Sequence, residues 1–328
     1  MVVKSVILLG AYVAPFIVIL TTNVPVVVFF LLWFTMGVAL AGNGMSVMHD
    51  ANHGAYSARQ WVNKMMGMSL NLLGGAAFNW KLQHNILHHS YTNIQGMDED
   101  IDAKTLLRFS PHSPLKKGHR FQVFYAVFLY GILTLYWGLF KDAVQLIGYS
   151  KNGVNSNTPR QNAWLFVRIS FFKIIYFFTL LILPSLVMGI PFYLVLLGFL
   201  LMHFTAGIIL SVVFQLAHTV EGTAYPIPDA KGNIETAWAI HQMNTTVNFA
   251  RRNKILSWYV GGLNFQIEHH LFPGTCHVHY PAIAPIVKET AEEFGVPYME
   301  NSSFTEALKS HLRTLRKFGA PSLDEIMG

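Results

Sequence analysis

Long stretches without charge limit what this chain can fold into more than any other feature of its sequence. A helix needs about 20 mostly apolar residues to cross a bilayer. Segments of that kind lie at about residues 3–20, 26–47, 170–187 and 192–214. Only 12% of all residues are charged, against about 25% in soluble domains. The sequence therefore predicts an all-α, multi-pass membrane protein with four transmembrane helices in two hairpins.

The distribution of lysine and arginine predicts how these hairpins are oriented. Lys4 precedes the first hairpin, and every other basic residue lies within 59–173 or 231–317. Cytoplasmic segments are enriched in lysine and arginine, so the short connections inside the hairpins are expected on the outer side. We therefore predict one domain over residues 1–328. Its cytoplasmic parts are expected at 48–169 and 215–328.

A further uncharged segment, residues 121–140, is long enough to span a membrane. Basic residues stand on both sides of it, at Lys116 and Lys117 before and Lys141 after. We predict a helix lying in the membrane interface, because positive charge at both ends favours two cytoplasmic ends. Residues 65–80 are expected to behave in the same way.

Cysteine and histidine usage restricts the kinds of metal site. Cys276 is the one cysteine, which excludes an internal disulfide, a cysteine-ligated zinc site and an iron–sulfur cluster. Histidine, in contrast, occurs 15 times. Any bound metal is therefore expected to be held by imidazole, which suits iron, zinc, copper or nickel.

Eight histidines fall at related places in the predicted topology. His49 and His53 follow the second predicted span, and His218 follows the fourth, so both hairpins deliver histidines to the cytoplasmic side. In QHNILHH, His84 and His88 stand four residues apart with His89 beside them, and in QIEHH, His269 and His270 stand three and four residues after Gln266. Such spacings place side chains on one helix face. The set is His49, His53, His84, His88, His89, His218, His269 and His270. Eight ligands exceed what one ion takes and fit two.

The other histidines have other expected roles. His203 stands alone in the fourth predicted span, where a hydrogen bond between helices is expected. His241 is a further candidate ligand. Loop or surface positions are expected for His112, His119, His277, His279 and His311.

The segments HDANH, QHNILHHSYTN and NFQIEHHLFP resemble the three histidine boxes of the membrane fatty acid desaturases. Glutamine at the start of the third box is similar to the front-end and linoleoyl-CoA-like branch. The likeness runs from about residue 40 to the C-terminus. It implies a non-haem di-iron centre on a cytoplasmic helical cap, with the eight histidines as ligands. It also implies a reaction that uses O2 and two external electrons to remove two hydrogens from a fatty acyl chain.

The resemblance also implies partners and a location. The substrate is expected to be a fatty acyl-CoA or an acyl-lipid in the bilayer, and no nucleic acid is involved. The H-P-G-G haem motif of fused cytochrome b5 domains does not occur in this sequence. Electrons are therefore expected from a separate donor of the ferredoxin or cytochrome b5 type with a reductase. A bacterial inner membrane with a cytoplasmic active site is expected.

Several polar residues beside the boxes are candidates for supporting the ligands. Gln266 stands three and four residues before His269 and His270, so we expect it either to bind metal weakly or to hold a metal-bound water. The alternative is a structural hydrogen bond from Gln266 to nearby backbone. The remaining candidates are Asn264, Asp50 and Asn85, and the acidic residues Asp98, Glu99, Asp100 and Asp102. Such groups commonly hold the second ring nitrogen of a histidine ligand.

Rival functions remain open at this level. An iron hydroxylase of the same superfamily acting on acyl chains or lipids shares these motifs, and its product would gain one oxygen instead of losing two hydrogens. A more remote rival is a non-catalytic membrane protein that carries metal or haem. A zinc protease is disfavoured because no H-E-x-x-H motif occurs.

Overall fold

The computed structural model describes residues 1–102 and 106–321, most of which are helical. The chain divides into two compact units, which we describe separately. Unit 1 comprises Met1–Leu82 and Leu129–Ser211. Unit 2 comprises Gln83–Phe128 and the described part of the segment that begins at Val212.

Helices of very different length alternate along the chain, and two short strands occur near its end. In chain order they are α1 (Val2–Thr21), α2 (Val26–Asn52), α3 (Gln60–Gly67), α4 (Ala77–Trp80), α5 (His89–Tyr91), α6 (Lys117–Lys151), α7 (Pro159–Met188), α8 (Phe192–His218), α9 (Trp238–Thr245), β1 (Asn248–Phe249), α10 (Lys254–Tyr259), α11 (Gln266–Leu271), α12 (Tyr280–Glu293), β2 (Glu300–Asn301) and α13 (Phe304–Phe318). A π-helix, Lys81–His88, joins α4 to α5. Tighter 3₁₀ turns occur at Met68–Leu73 and His277–His279.

Five of the described helices, α1, α2, α6, α7 and α8, are long and apolar enough to cross a membrane. Four of them contain the segments predicted as spans. The fifth, α6, contains the segment that we predict to lie in the interface. Length and composition alone permit it to span, so its interfacial placement stays a prediction.

Residues 65–80 do not form the continuous helix that the sequence predicted. Helix α3 ends at Gly67, a 3₁₀ turn follows, and α4 begins at Ala77. The interruption lies at Gly74, whose φ of +76° is in the left-handed region that only glycine adopts without strain. The prediction of continuity was wrong because apolar composition does not report where a left-handed residue interrupts the helix.

Glycines allow the apolar helices of unit 1 to approach closely. A Cβ on Gly37 of α2 would lie 2.6 Å from the carbonyl oxygen of Met202 in α8. A Cβ on Gly198 of α8 would lie 2.3 Å from the ring of Trp33 in α2. Small residues at helix contacts are typical of membrane proteins, where backbone proximity provides much of the packing energy.

Polar contacts inside unit 1 link its helices. The His203 ring lies between Tyr176 of α7, with Nε2 2.7 Å from the hydroxyl, and Thr134 of α6, with Nδ1 3.0 Å from Oγ1. The predicted hydrogen bond between helices is therefore confirmed. The Lys173 ammonium of α7 lies 2.8 Å from the carboxylate of Asp142 in α6. These contacts satisfy polar groups where water is excluded.

Unit 2 contains a two-stranded parallel pairing and a helical core. Asn248 and Phe249 of β1 pair with Glu300 and Asn301 of β2. Helices α9, α11 and α12 share an apolar cluster, consisting of Met243, Ile267, Val287 and Ala291. Helix α13 begins after Ser303, whose hydroxyl accepts a hydrogen bond from the backbone nitrogen of Glu306.

Three histidines expected in loops or on the surface are buried. They are His119, His277 and His311. His311 lies on the inner face of α13, where Nδ1 donates to the Thr219 carbonyl at 2.7 Å. The surface prediction was wrong for these three because a polar residue type was taken as a sign of exposure. His112 and His279 are exposed, as expected.

Candidate metal centre

The first pair of candidate ligands lies at the end of α2 in unit 1. His53 follows the last residue of α2, and its backbone nitrogen donates to the His49 carbonyl at 3.0 Å. The two ring centroids are 4.7 Å apart, and each lies 5.6 Å from the Trp80 ring. Asp50, a predicted supporting residue, has a carboxylate oxygen 3.9 Å from Nδ1 of His49.

The second group of candidate ligands lies on a wide helical turn in unit 2. The π-helix carries His84 and His88, whose rings stack with centroids 5.2 Å apart. His89 follows at once, and its Nε2 is 3.3 Å from Nε2 of His84. The π-helix is a rare form that recurs at functional sites, and here it carries neighbouring imidazoles on one stretch of backbone.

The third group lies on α11, whose position is fixed by a buried polar network. The Asn248 side chain accepts a hydrogen bond from the Ile267 backbone nitrogen at 2.9 Å and donates to Glu268 at 2.9 Å. The Tyr298 hydroxyl donates to the other Glu268 oxygen at 2.7 Å. Burial raises the pKa of Glu268, and these two donors oppose that rise. The network therefore holds the backbone that carries His269 and His270.

Three of the candidate ligands from different elements converge. The ring centroids of His88, His218 and His270 are separated by 4.8, 4.9 and 4.9 Å. All three side chains are buried, and one ligand nitrogen from each lies within 4.8 Å of the others. His89, His269 and His270 form a second such group. Two overlapping groups of three imidazoles are therefore present in unit 2.

His88 is oriented by acidic residues. Its Nδ1 lies 3.1 Å from Asp98 and 3.5 Å from Asp100. Burial alone would lower the pKa of His88, but the hydrogen bond and the negative charges outweigh it and raise that pKa. Burial would likewise raise the pKa of Asp98, yet His88 and two backbone N–H groups hold it below its usual range. Asp98 thus stays ionised and accepts from Nδ1, which directs Nε2 of His88 toward the other histidines.

His218 and His270 have comparable partners. Nδ1 of His218 lies 3.3 Å from the Thr245 carbonyl, and Nδ1 of His270 lies 2.7 Å from the amide oxygen of Gln242. Both acceptors require a hydrogen on Nδ1, so Nε2 of each ring carries the lone pair. Burial, together with neighbouring histidines, lowers the pKa of His270 well below its usual value. The neutral imidazole is the form that binds metal.

The Nε2 atoms of His88, His218 and His270 have the surroundings expected of metal ligands. Among the described residues, none forms a hydrogen bond with Nε2 of His88, His218 or His270. Buried polar atoms without a partner are rare in folded proteins, and three that converge call for a shared ligand. Neutral imidazole nitrogens are ligands for iron, zinc, copper and nickel, so these residues fit the chemistry of a metal site.

The predicted supporting residues have different surroundings. Gln266 is buried as the first residue of α11. The Asn264 amide donates to Ser257 at 2.9 Å and therefore stabilises the preceding loop. Asn85 is half-buried on the π-helix. His241 is buried on α9, but it belongs to none of the histidine groups formed by described residues.

Sequence reasoning missed partners of the histidines from α9, from α12 and from the loop after α5. Gln242 accepts from His270 and from Thr92, whose hydroxyl lies 2.9 Å away. The Tyr280 hydroxyl is 3.2 Å from Nδ1 of His269. The Trp238 indole donates to the His89 carbonyl at 3.0 Å. None of these residues is distinguished by a spacing or motif that points to the histidines.

Comparison with known proteins assigns the chain to a family. The profile of the fatty acid desaturase family matches residues 23–302. The chain belongs to the fatty acid desaturase family. It is therefore an enzyme of fatty acid metabolism, and the histidine groups described above lie within the matched region.

Three relatives of this desaturase have related activities in their names. An "sn-1 linoleoyl-lipid 6-desaturase" of Arthrospira platensis is 39% identical over 282 residues, which is 86% of this chain and 76% of that protein. A protein of the same name from Synechocystis sp. is 38% identical, covering 88% and 79%. An "Acyl-lipid (8-3)-desaturase" of Physcomitrium patens is 38% identical, covering 97% and 66%.

Proposed function

We propose that this desaturase holds two iron ions and inserts a double bond into a fatty acyl chain with O2 and two electrons. The proposed ligands are His49, His53, His84, His88, His89, His218, His269 and His270. The observation that carries the proposal is the convergence of His88, His218 and His270, each with Nδ1 engaged and Nε2 directed at its neighbours. Family membership favours iron over the other metals that imidazole binds.

The residues of the chain prepare this site for oxidation chemistry. Bound iron would supply, with O2, the oxidising power that an unactivated methylene group requires, because such a group has no acidic proton. Asp98 and Gln242 fix the orientation of His88 and His270, so little reorganisation is needed when metal binds. Burial of all three converging histidines excludes water, which protects a reactive centre from side reactions.

We propose a lipid-bound acyl chain as the substrate. All three relatives described above are named for lipid-linked acyl chains. Five apolar helices give the protein direct access to the bilayer where such chains reside. A separate protein of the ferredoxin or cytochrome b5 type, with its reductase, would deliver the electrons. We expect no nucleic acid among the partners of this desaturase.

The proposal is tested by replacing His88, His218 and His270 singly with alanine. We expect each variant to bind less iron and to lose desaturation, since each loses one of three converging ligands. The matched control is His279→Ala, because His279 is exposed and outside the histidine groups. Mass spectrometry of host lipids separates loss of two hydrogens from gain of one oxygen. Full activity in the three variants would contradict the proposed site, and a product with added oxygen would instead indicate a hydroxylase.

A further inference from the structure

Unit 1 contains a cavity of about 230 Å³ whose lining includes none of its described histidines. Its apolar walls come from the α3–α4 region and from α7, and include Met68, Phe78, Ile169 and Phe172. Three charged residues also line it, namely Asp142, Arg168 and Lys173. The cavity therefore combines a surface suited to hydrocarbon with groups suited to an ion.

Two of these charges neutralise each other. The Lys173 ammonium contacts the Asp142 carboxylate at 2.8 Å and donates to the carbonyls of Gly74 and Gly138 at 2.6 and 2.7 Å. Asp142 also accepts from the Ala76 backbone nitrogen at 3.3 Å. An ammonium has three hydrogens, so Lys173 has none to spare for a ligand. The ion pair acts as a neutral part of the wall.

Arg168 is the charge that remains. Its side chain is exposed, and within the described ranges it has neither an ion pair nor a hydrogen bond. A guanidinium is always ionised and presents a planar set of donors that matches phosphate. The cavity thus has one uncompensated positive charge, which favours an anion.

The surroundings of Arg168 indicate the depth of the site in the membrane. Trp164, four residues earlier on the same face of α7, is 70% exposed. Exposed tryptophan is enriched at the level of lipid headgroups. Beyond Arg168, α7 exposes Phe171, Ile174 and Ile175 to its surroundings, as a helix in hydrocarbon does. Arg168 therefore marks the boundary between headgroups and acyl chains.

We propose that this cavity binds one anionic phospholipid, with its phosphate on Arg168 and an acyl chain along Ile169 and Phe172. A soluble phosphate would leave the apolar walls without a partner, and a zwitterionic lipid would bring its own cation toward Arg168. Basic pockets beside membrane helices recognise acidic headgroups on these grounds. The proposal concerns lipid binding and is independent of the proposed desaturation.

The experiment compares lipid retention by purified protein in neutral detergent, using native mass spectrometry. The probes are phosphatidylglycerol and phosphatidylcholine with identical acyl chains, and glycerol 3-phosphate as a competitor. We expect one phosphatidylglycerol to be retained in preference to phosphatidylcholine. Arg168→Gln should weaken its binding about fivefold, as expected for one basic residue at the membrane surface. Arg160→Gln, on the same helix but outside the cavity lining, is the matched control.

A second pair of variants tests the cavity without changing charge. Ile169→Trp places a larger side chain in the cavity and should reduce phosphatidylglycerol retention. Val167 of the same helix is 55% exposed. Val167→Trp should therefore leave phosphatidylglycerol retention unchanged. Equal effects of Arg168→Gln and Arg160→Gln would overturn the proposal. Equal retention of phosphatidylglycerol and phosphatidylcholine would also overturn it. Displacement of bound phosphatidylglycerol by glycerol 3-phosphate would have the same consequence.

Discussion

His270 has two ring nitrogens, and its contact with Gln242 determines which of them faces the other histidines. The amide oxygen accepts from Nδ1 at 2.7 Å and is itself approached by the Thr92 hydroxyl at 2.9 Å. With the hydrogen held on Nδ1, the lone pair lies on Nε2. In the proposed site, Gln242 would therefore determine which nitrogen of His270 is available to a metal.

Replacing Gln242 should weaken metal binding without removing a ligand. Gln242→Leu keeps the approximate volume but removes the acceptor, so His270 loses its preferred orientation. We expect iron affinity to fall about tenfold or more, measured by competition with a chelator. Gln242→Glu is the control, because a carboxylate oxygen still accepts from Nδ1. Unchanged iron affinity in the leucine variant would show that Gln242 does not position His270.

Gln266 is buried and begins the helix that carries His269 and His270. Three variants at this position test whether its amide takes part in the chemistry. If its amide binds metal or a metal-bound water, Gln266→His should retain iron and some turnover. Gln266→Glu should retain iron with altered turnover, and Gln266→Ala should lose most activity with the fold intact. Iron content and lipid products are the measurements. An alanine variant with wild-type rate and iron content would exclude Gln266 from the chemistry.

Spacing selected His88 and His270, and position after the fourth predicted span selected His218, but neither selected the residues that orient them. His88 and His270 stand in recognisable histidine clusters, QHNILHH and QIEHH. Asp98, ten residues beyond His88, was one of several acidic candidates, and the structure shows that it accepts from Nδ1. Gln242 lies 28 residues before His270 and contacts it only because α9 packs on α11. Contacts of that kind depend on the folded chain.

Helix α13 has a buried histidine, His311, on its inner face. His311 is almost fully buried, and burial lowers its pKa to about 4. Its Nδ1 donates to the Thr219 carbonyl, which opposes that fall. The folded protein therefore keeps His311 neutral at a pH where the unfolded chain would protonate it.

This difference predicts a loss of stability in mild acid. The unfolded chain binds a proton at His311 below pH about 6.5, whereas the folded protein does so only below about 4. His311 does not change the free energy of unfolding above pH about 6.5. As the pH drops from about 6.5 to about 4, protonation of His311 in the unfolded chain lowers that free energy by up to about 3 kcal/mol. His311→Asn keeps a donor near Thr219 and cannot titrate, so its melting temperature should fall less between pH 6.5 and 4. Identical acid slopes in both proteins would contradict the prediction.

Apolar composition predicted the long helices but not the break between α3 and α4. Apolar composition correctly located the long helices, because each must satisfy its own backbone in a membrane. It could not show that Gly74 interrupts the helical segment, because the interruption depends on a left-handed backbone conformation and not on burial. The start of α13 was predictable because a Ser303 cap is a local interaction.

The orientation of the whole molecule is predicted by charge and remains to be measured. Basic residues around α6 favour cytoplasmic ends on both sides of its apolar part. Asn152, in the exposed turn after α6, offers a test site. In a Cys276→Ser background, Asn152→Cys should resist an impermeant thiol reagent in intact cells and react after lysis. Labelling in intact cells would place this turn outside and contradict the predicted four-span topology.

The contact between Asp142 and Lys173 also constrains the order in which the protein is made. Asp142 is completely buried in the finished structure, yet its cationic partner is translated 31 residues later. Until then, water or the translocation machinery must accompany the carboxylate, because an unpaired buried charge is strongly unfavourable. Helix α6 therefore cannot reach its final packing while α7 is still inside the ribosome. The Asp142–Lys173 contact therefore requires the two helices to pack together after both have been synthesised.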